Sequence, residues 1–150
     1  MMNIIRFSIE VKTGQGIAIH DLTKQIQKCV ADSCIENGFV TVTSQHTTTA
    51  LAINENEERL VEDIKAFLAR LIPADDRYLH NDIHLRDCPP DEPENAHAHL
   101  AALLLGSSEV VPLAAGRLVL GQWQSIMLYE LDGPRTRKVA VQVYGEQPVD

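Results

Sequence analysis

Apolar and polar residues alternate from Ile4 to Val11 (IIRFSIEV), the period of two that marks a half-buried strand. Thr13-Gly14-Gln15-Gly16 reads as a turn, because both glycines can adopt positive φ. Ile17–Ile19 is then a short strand or the approach to a helix, with Asp21 placed to cap it. From Leu22 the period changes: Leu22, Ile26, Cys29, Val30 and Ile35 fall on one helical face, and Asn37-Gly38 is a stop signal. Phe39–Thr43 (FVTVT) is β-branched and alternating, so it predicts a strand, extended through Gln45-His46-Thr47-Thr48-Thr49 to Ile53. Asn54–Glu58 forms an acidic start to a second helix, where Glu55, Glu57 and Glu58 favour the helix dipole. Its apolar stripe is Leu60, Ile64, Phe67, Leu68 and Leu71, and Pro73 ends it.

Ala74–Glu94 carries no periodicity, and an irregular stretch of this length in a compact domain tends to be functional or disordered. Asn95 is placed to cap a third helix that runs to Leu105 and stops at Gly106. Strands are predicted at Glu109–Leu113, Arg117–Leu120, Ser125–Leu131 and Lys138–Tyr144, punctuated by Ala115-Gly116 and Asp132-Gly133-Pro134. The whole predicts a single α+β domain over 1–150, with about three helices on mixed, largely antiparallel sheets.

Composition narrows the function classes. A chain of 150 residues can bury a core without staples. Its net charge of −8 opposes broad binding to nucleic acid or anionic membrane, while leaving room for a local anion site. No apolar run approaches the roughly 18–20 residues of a membrane span, and Arg6 interrupts the N-terminal apolar run too early for a signal peptide. Cys29, Cys34 and Cys88 show no paired spacing, which fits reduced thiols in a cytoplasm. Cys29 and Cys34 are expected in the core and Cys88 in a loop.

Chemistry concentrates in HNDIHLRDCPPDEPENAHAH, His80 to His99, which holds four of the six histidines. Imidazole is the commonest protein metal ligand and titrates nearest neutral pH. A His-rich polar surface loop is the plain alternative. His80 and His84 are four apart, but Asn81 stands where a zinc-protease helix has glutamate. His97 and His99, two apart at a helix start, point in roughly opposite directions. His46 ends a predicted strand and His20 lies near a helix start; each alone reads as a structural residue. Asp82 and Asp87 read first as solvated charges.

Taken in order, QHTTTALAINENE, the HND element, LLLGSSEVVPLAAGRL, LGQWQSI, YELDGPR and the terminal VYGE resemble the YjbQ family over nearly the whole chain. The resemblance implies thiamine-phosphate synthase activity: hydroxymethylpyrimidine pyrophosphate is joined to thiazole phosphate and pyrophosphate is released. It also implies a homotrimer and a histidine site binding metal or phosphate. Carried over, the metal-ligand positions are His46, His80 and His99, for a divalent ion that is zinc-like or magnesium. Glu130 becomes a fourth group able to ligate, to orient a histidine or to act with His99 in acid–base work. Substrate-binding positions are Thr47 of the QHT element, Ser107 and Ser108 after the helix, Gln124 beside Trp123, and Arg135, with Arg137 adding positive charge. Trp123 is either part of that element or a large core or subunit-contact residue. His84 and His97 fall outside the pattern. Two alternatives share these residues: a metal-dependent hydrolase of a small phosphorylated substrate, and a non-catalytic trimeric metal- or small-ligand-binding protein.

Overall fold

The computed structural model describes residues 1–148. Among these residues eight strands form two antiparallel sheets, joined by three α-helices. The strands are β1 (Met2–Lys12), β2 (Gly16–Asp21), β3 (Asn37–Ser44), β4 (Thr49–Asn54), β5 (Ser108–Ala114), β6 (Arg117–Leu118), β7 (Ser125–Gly133) and β8 (Thr136–Glu146). The helices are α1 (Thr23–Ser33), α2 (Glu58–Leu71) and α3 (Ala96–Leu105). The larger sheet has the order β1-β8-β3-β5-β6 and the smaller one β2-β7-β4. The α+β class expected from the alternating late segments is the one observed.

Two cores explain why the smaller sheet is apolar on both faces. Toward the larger sheet, Leu51, Ile126 and Leu128 pack with Val40, Val42, Val139, Val141 and Val143, and α1 closes this layer with Ile26 and Val30. On the opposite face Ala50, Met127, Tyr129 and Leu131 meet Leu68 of α2 and Ala98, Ala101 and Ala102 of α3. A middle layer buried on both sides loses the alternation of a half-exposed strand. Each fully buried Leu, Ile or Val in it contributes about 1.5–3 kcal/mol over exposure.

Several expectations are corrected. The strand does not run from Phe39 to Ile53: it breaks at residues 45–48, and β4 joins the other sheet. β6 ends at Leu118 rather than Leu120. Ile35 lies beyond α1, buried in the core. Cys34 is exposed, not core filler, and holds the left-handed turn that ends α1 with φ of 57°. Asp21 does serve the start of α1, accepting from the Thr23 amide at 2.9 Å and its hydroxyl at 2.6 Å. The acidic start of α2 resolves to Glu57, whose carboxylate accepts from the Arg59 and Leu60 amides. Asn95 occupies the first position before α3 but makes no side-chain cap; Asn81 Oδ1 instead accepts from the Ala96 amide at 3.1 Å.

Candidate functional site

The break between β3 and β4 creates the site, because residues 45–48 must cross from one sheet to the other. The crossing is held at its own ends and from β7 and β8. The Ser44 and Thr49 hydroxyls bond each other across its mouth, and Ser44 Oγ also accepts from the His46 amide at 3.3 Å. The Thr48 carbonyl accepts from the Leu131 amide of β7 at 3.2 Å. From β8, Arg137 Nη2 donates to Thr48 Oγ1 at 2.8 Å and the Lys138 amide donates to His46 Nε2 at 2.9 Å.

Beneath this turn lies an ion pair between the sheets. Glu130 of β7 is fully buried, and Arg137 donates to it through Nε at 2.6 Å and Nη2 at 2.7 Å. Glu130 Oε1 also accepts from the Asp132 amide at 3.1 Å. Both oxygens are thus engaged. The expected role as metal ligand or acid–base group does not fit this enclosure; Glu130 is placed to fix Arg137, which fixes the turn carrying His46.

A cleft of about 550 Å³ opens beside the turn, lined by His46, Thr47, His99, Leu100, Leu103 and Ser107 among others. His80 and His99 meet edge to face, with ring centroids 4.7 Å apart. His80 comes from a turn of 3-10 helix at Leu79–Asn81, and a second such turn spans Ile83–Leu85. Arg86 steadies the first by donating to the His80 carbonyl at 2.9 Å. Burial, then the neighbouring His80, hold the His99 pKa below the ordinary histidine value, with Arg86 adding to them; Asp132 and the Thr47 backbone oppose this without reversing it. Burial and then the Arg137 cation lower the His46 pKa in the same way, and Glu130 opposes them. Both rings are therefore neutral at pH 7 and offer lone pairs rather than charge.

Two groups that the sequence did not single out support this corner. Asp132 accepts from Asn95 Nδ2 and from Arg135 Nη2, each at 2.8 Å. Burial would raise its pKa, but these bonds and the two nearby arginines lower it, so Asp132 is a carboxylate facing His99. Asn81 ties the His80 turn to the start of α3 through the bond to Ala96. The signal for both was present only as punctuation: ND after His80 and DG after Glu130 read as turn chemistry.

The remaining expected positions divide. Thr47 and Ser107 line the cleft, whereas Ser108 begins β5, is exposed and is absent from the lining. Gln124 is exposed and bonds the Gly121 amide at 2.8 Å, away from the histidines. Arg135 is committed to Asp132, both to its carboxylate and, at 3.0 Å, to its carbonyl. Trp123 is 66% exposed, so it is not a core residue. His84 lines a different cleft with Arg86, Cys88 and Glu94. His97 keeps Nδ1 buried without a partner among the described residues. His20 accepts from the Gly14 amide at 3.4 Å.

The three histidines do not fit a shared metal centre in this arrangement. The Nε2 lone pair of His46 is already taken by the Lys138 amide. Among the described residues, no three His, Cys, Asp or Glu side chains converge closely enough to hold a metal. Nor is any helix among them long and apolar enough to cross a membrane.

Comparison with known proteins supplies the lineage. The family model of YjbQ-like UPF0047 proteins matches residues 7–146. A UPF0047 protein of Archaeoglobus fulgidus is 44% identical over 133 residues, covering 89% of this chain and 96% of its own. One from Methanothermobacter thermautotrophicus is 39% identical over 145 residues, covering 97% and 95%. Among solved structures, a YbjQ-like protein of unknown function from Sulfolobus solfataricus superposes with a TM-score of 0.88 at 37% identity, covering 97% of this chain and all of that one. A hypothetical protein from Aeropyrum pernix gives 0.85 at 38% identity, covering 95% and 99%.

Proposed function

Because the chain belongs to the YjbQ-like UPF0047 family, we propose that its cleft binds a small phosphorylated substrate and transforms it with His99 as the acid–base group. The observation that carries this is the edge-to-face approach of His80 and His99 at 4.7 Å, with His99 lining the cleft. A neutral imidazole takes a proton and then returns it to a leaving group, which typically accelerates a reaction about 10²–10⁴-fold. The lining supports such a substrate: Leu100, Ala102 and Leu103 suit an apolar ring, and His46, Thr47 and Ser107 suit phosphate oxygens.

The specific reaction placed first is that of thiamine-phosphate synthase. The thiazole nitrogen attacks the pyrimidine methylene carbon with its lone pair, a C–N bond forms, the C–O bond to pyrophosphate breaks, and pyrophosphate departs with the bonding pair. The thiazole nitrogen carries no proton to lose, so in this reaction His99 acts by hydrogen-bonding the departing pyrophosphate oxygen, and its acid–base role belongs to the hydrolytic reading. Hydrolysis of a small phosphoester is the second reading, favoured by the place of His99 in the cleft wall, where a neutral imidazole can take a proton from water. No step in either passes through a metal. A homotrimer belongs to the same proposal, supported by apolar side chains left exposed on α3 (Leu103, Leu104) and on the larger sheet (Ile4, Val110). So does a cytoplasmic location, supported by three free cysteines.

The test is formation of thiamine phosphate from the two precursors, run beside phosphate release from p-nitrophenyl phosphate, with wild type, His80→Ala and His99→Ala. Thiamine phosphate formation that falls about 100-fold or more in His99→Ala supports the synthase. Phosphate release with the same loss supports the hydrolase. A folded wild type inactive in both leaves a binding protein. Sedimentation equilibrium tests the trimer, and a monomer refutes it.

A further inference from the structure

We propose that His46 is a fixed hydrogen-bond donor, presenting Nδ1–H to an anionic oxygen of the ligand in the cleft, and is not a metal ligand. The assignment starts at the Lys138 amide, 2.9 Å from His46 Nε2. A backbone amide only donates, so Nε2 must offer its lone pair, and a neutral imidazole then carries its single proton on Nδ1. The amide has no freedom to turn away. Lys138 lies in β8, opposite Glu10 of β1, with the neighbouring Val139 and Ala140 paired to Ser44 and Thr43 of β3. Arg137, one residue before it, is locked to Glu130 and Thr48.

Metal binding by either nitrogen conflicts with this contact. Ligation through Nε2 needs the lone pair that Lys138 occupies. Ligation through Nδ1 moves the proton to Nε2 and sets two N–H groups head to head. Nδ1, by contrast, has no hydrogen-bond partner among the described residues, is not among the buried unpaired atoms, and belongs to a ring that lines the cleft. It is a donor awaiting an acceptor. That the acceptor is a phosphate-type oxygen rests on the proposed substrate class, and the exposed Lys138 side chain adds positive charge beside it.

The test uses wild-type protein labelled with nitrogen-15, in which long-range nitrogen–proton correlations distinguish the two imidazole tautomers. The expected result is a protonated Nδ1 and an unprotonated Nε2 on His46, unshifted by one equivalent of zinc. An Nε2–H tautomer, or zinc shifts at either His46 nitrogen, overturns the inference and leaves the proposed function standing. Titration with inorganic pyrophosphate should then shift His46 Nδ1–H, and the dissociation constant should rise about tenfold or more in His46→Ala, as expected for one hydrogen bond to a charged acceptor. Wild-type protein that binds no pyrophosphate while keeping the Nδ1–H tautomer refutes the anion contact and counts against the phosphorylated substrate. Should His46→Ala fail to fold, the wild-type tautomer and both titrations decide alone.

Discussion

Removing one member of the Glu130–Arg137 pair is expected to destabilise the protein more than any cleft substitution. The side chains are 0% and 5% exposed, and two hydrogen bonds of 2.6 and 2.7 Å join them. Glu130→Leu removes both bonds and strands the guanidinium; Arg137→Met strands the carboxylate. Breaking a buried pair from one side costs about 3–5 kcal/mol, against a total stability of about 5–15 kcal/mol for a domain. For a chain of 150 residues, each kcal/mol moves Tm by about 2–4 °C. The single variants should therefore melt about 6–20 °C below wild type. The double variant Glu130→Leu with Arg137→Met leaves no buried charge, so it should recover much of that loss. Far-UV circular dichroism through thermal and urea unfolding measures all four species, and the double-mutant cycle isolates the coupling. Single variants within about 1 kcal/mol of wild type, or strictly additive losses, would refute the reasoning.

Stability should also depend on pH through His46 and His99. Their folded pKa values lie below the unfolded value of 6.5, so the unfolded chain binds more protons between the two. Their contribution is complete above pH 6.5 and declines as pH falls toward the lowered folded values; a denaturation midpoint flat from pH 7.5 to 5 would contradict this. Any activity that uses neutral His99 should hold through pH 7 and fall on an acid limb below 6.5, a limb that His99→Ala lacks. Asn81→Ala removes the acceptor for the Ala96 amide and should cost about 1 kcal/mol, or about 2–4 °C in Tm. Trp123, the single tryptophan and 66% exposed, should fluoresce like a solvated indole and be quenched freely by acrylamide. A blue-shifted, shielded spectrum would place it inside a subunit contact.

The layers were legible because their residues obey simple periods. β1 and β8 alternate faces, and α1 keeps its apolar stripe, so the strands and helices stand where those patterns put them. The turn at residues 45–48 was hidden because threonine runs favour extended chain locally; it is the packing of β4 between two cores that breaks the strand there. The pairing of Glu130 was hidden for a related reason. In a strand buried on both faces, alternation gives no clue to where a carboxylate points, and its partner Arg137 lies in a different sheet. His80 and His99 were found by density, and their contact depends on how the Ala74–Glu94 segment returns to α3, which no local pattern encodes. Asn95 was assigned to capping by propensity, yet its amide is drawn to Asp132 instead.

The order of the larger sheet has a consequence for how this domain comes off the ribosome. β8 sits between β1 and β3, although it emerges after every other strand described. Until it is translated, β1 has no neighbour in that sheet, and β3 is paired only with β5. The nascent chain therefore waits with an open slot whose filling strand also brings Arg137 and the Lys138 amide. Layer closure and the fixing of His46 become one late event, and a ribosome stalled before Thr136 should display a turn at 45–48 still loose and easily cut by protease.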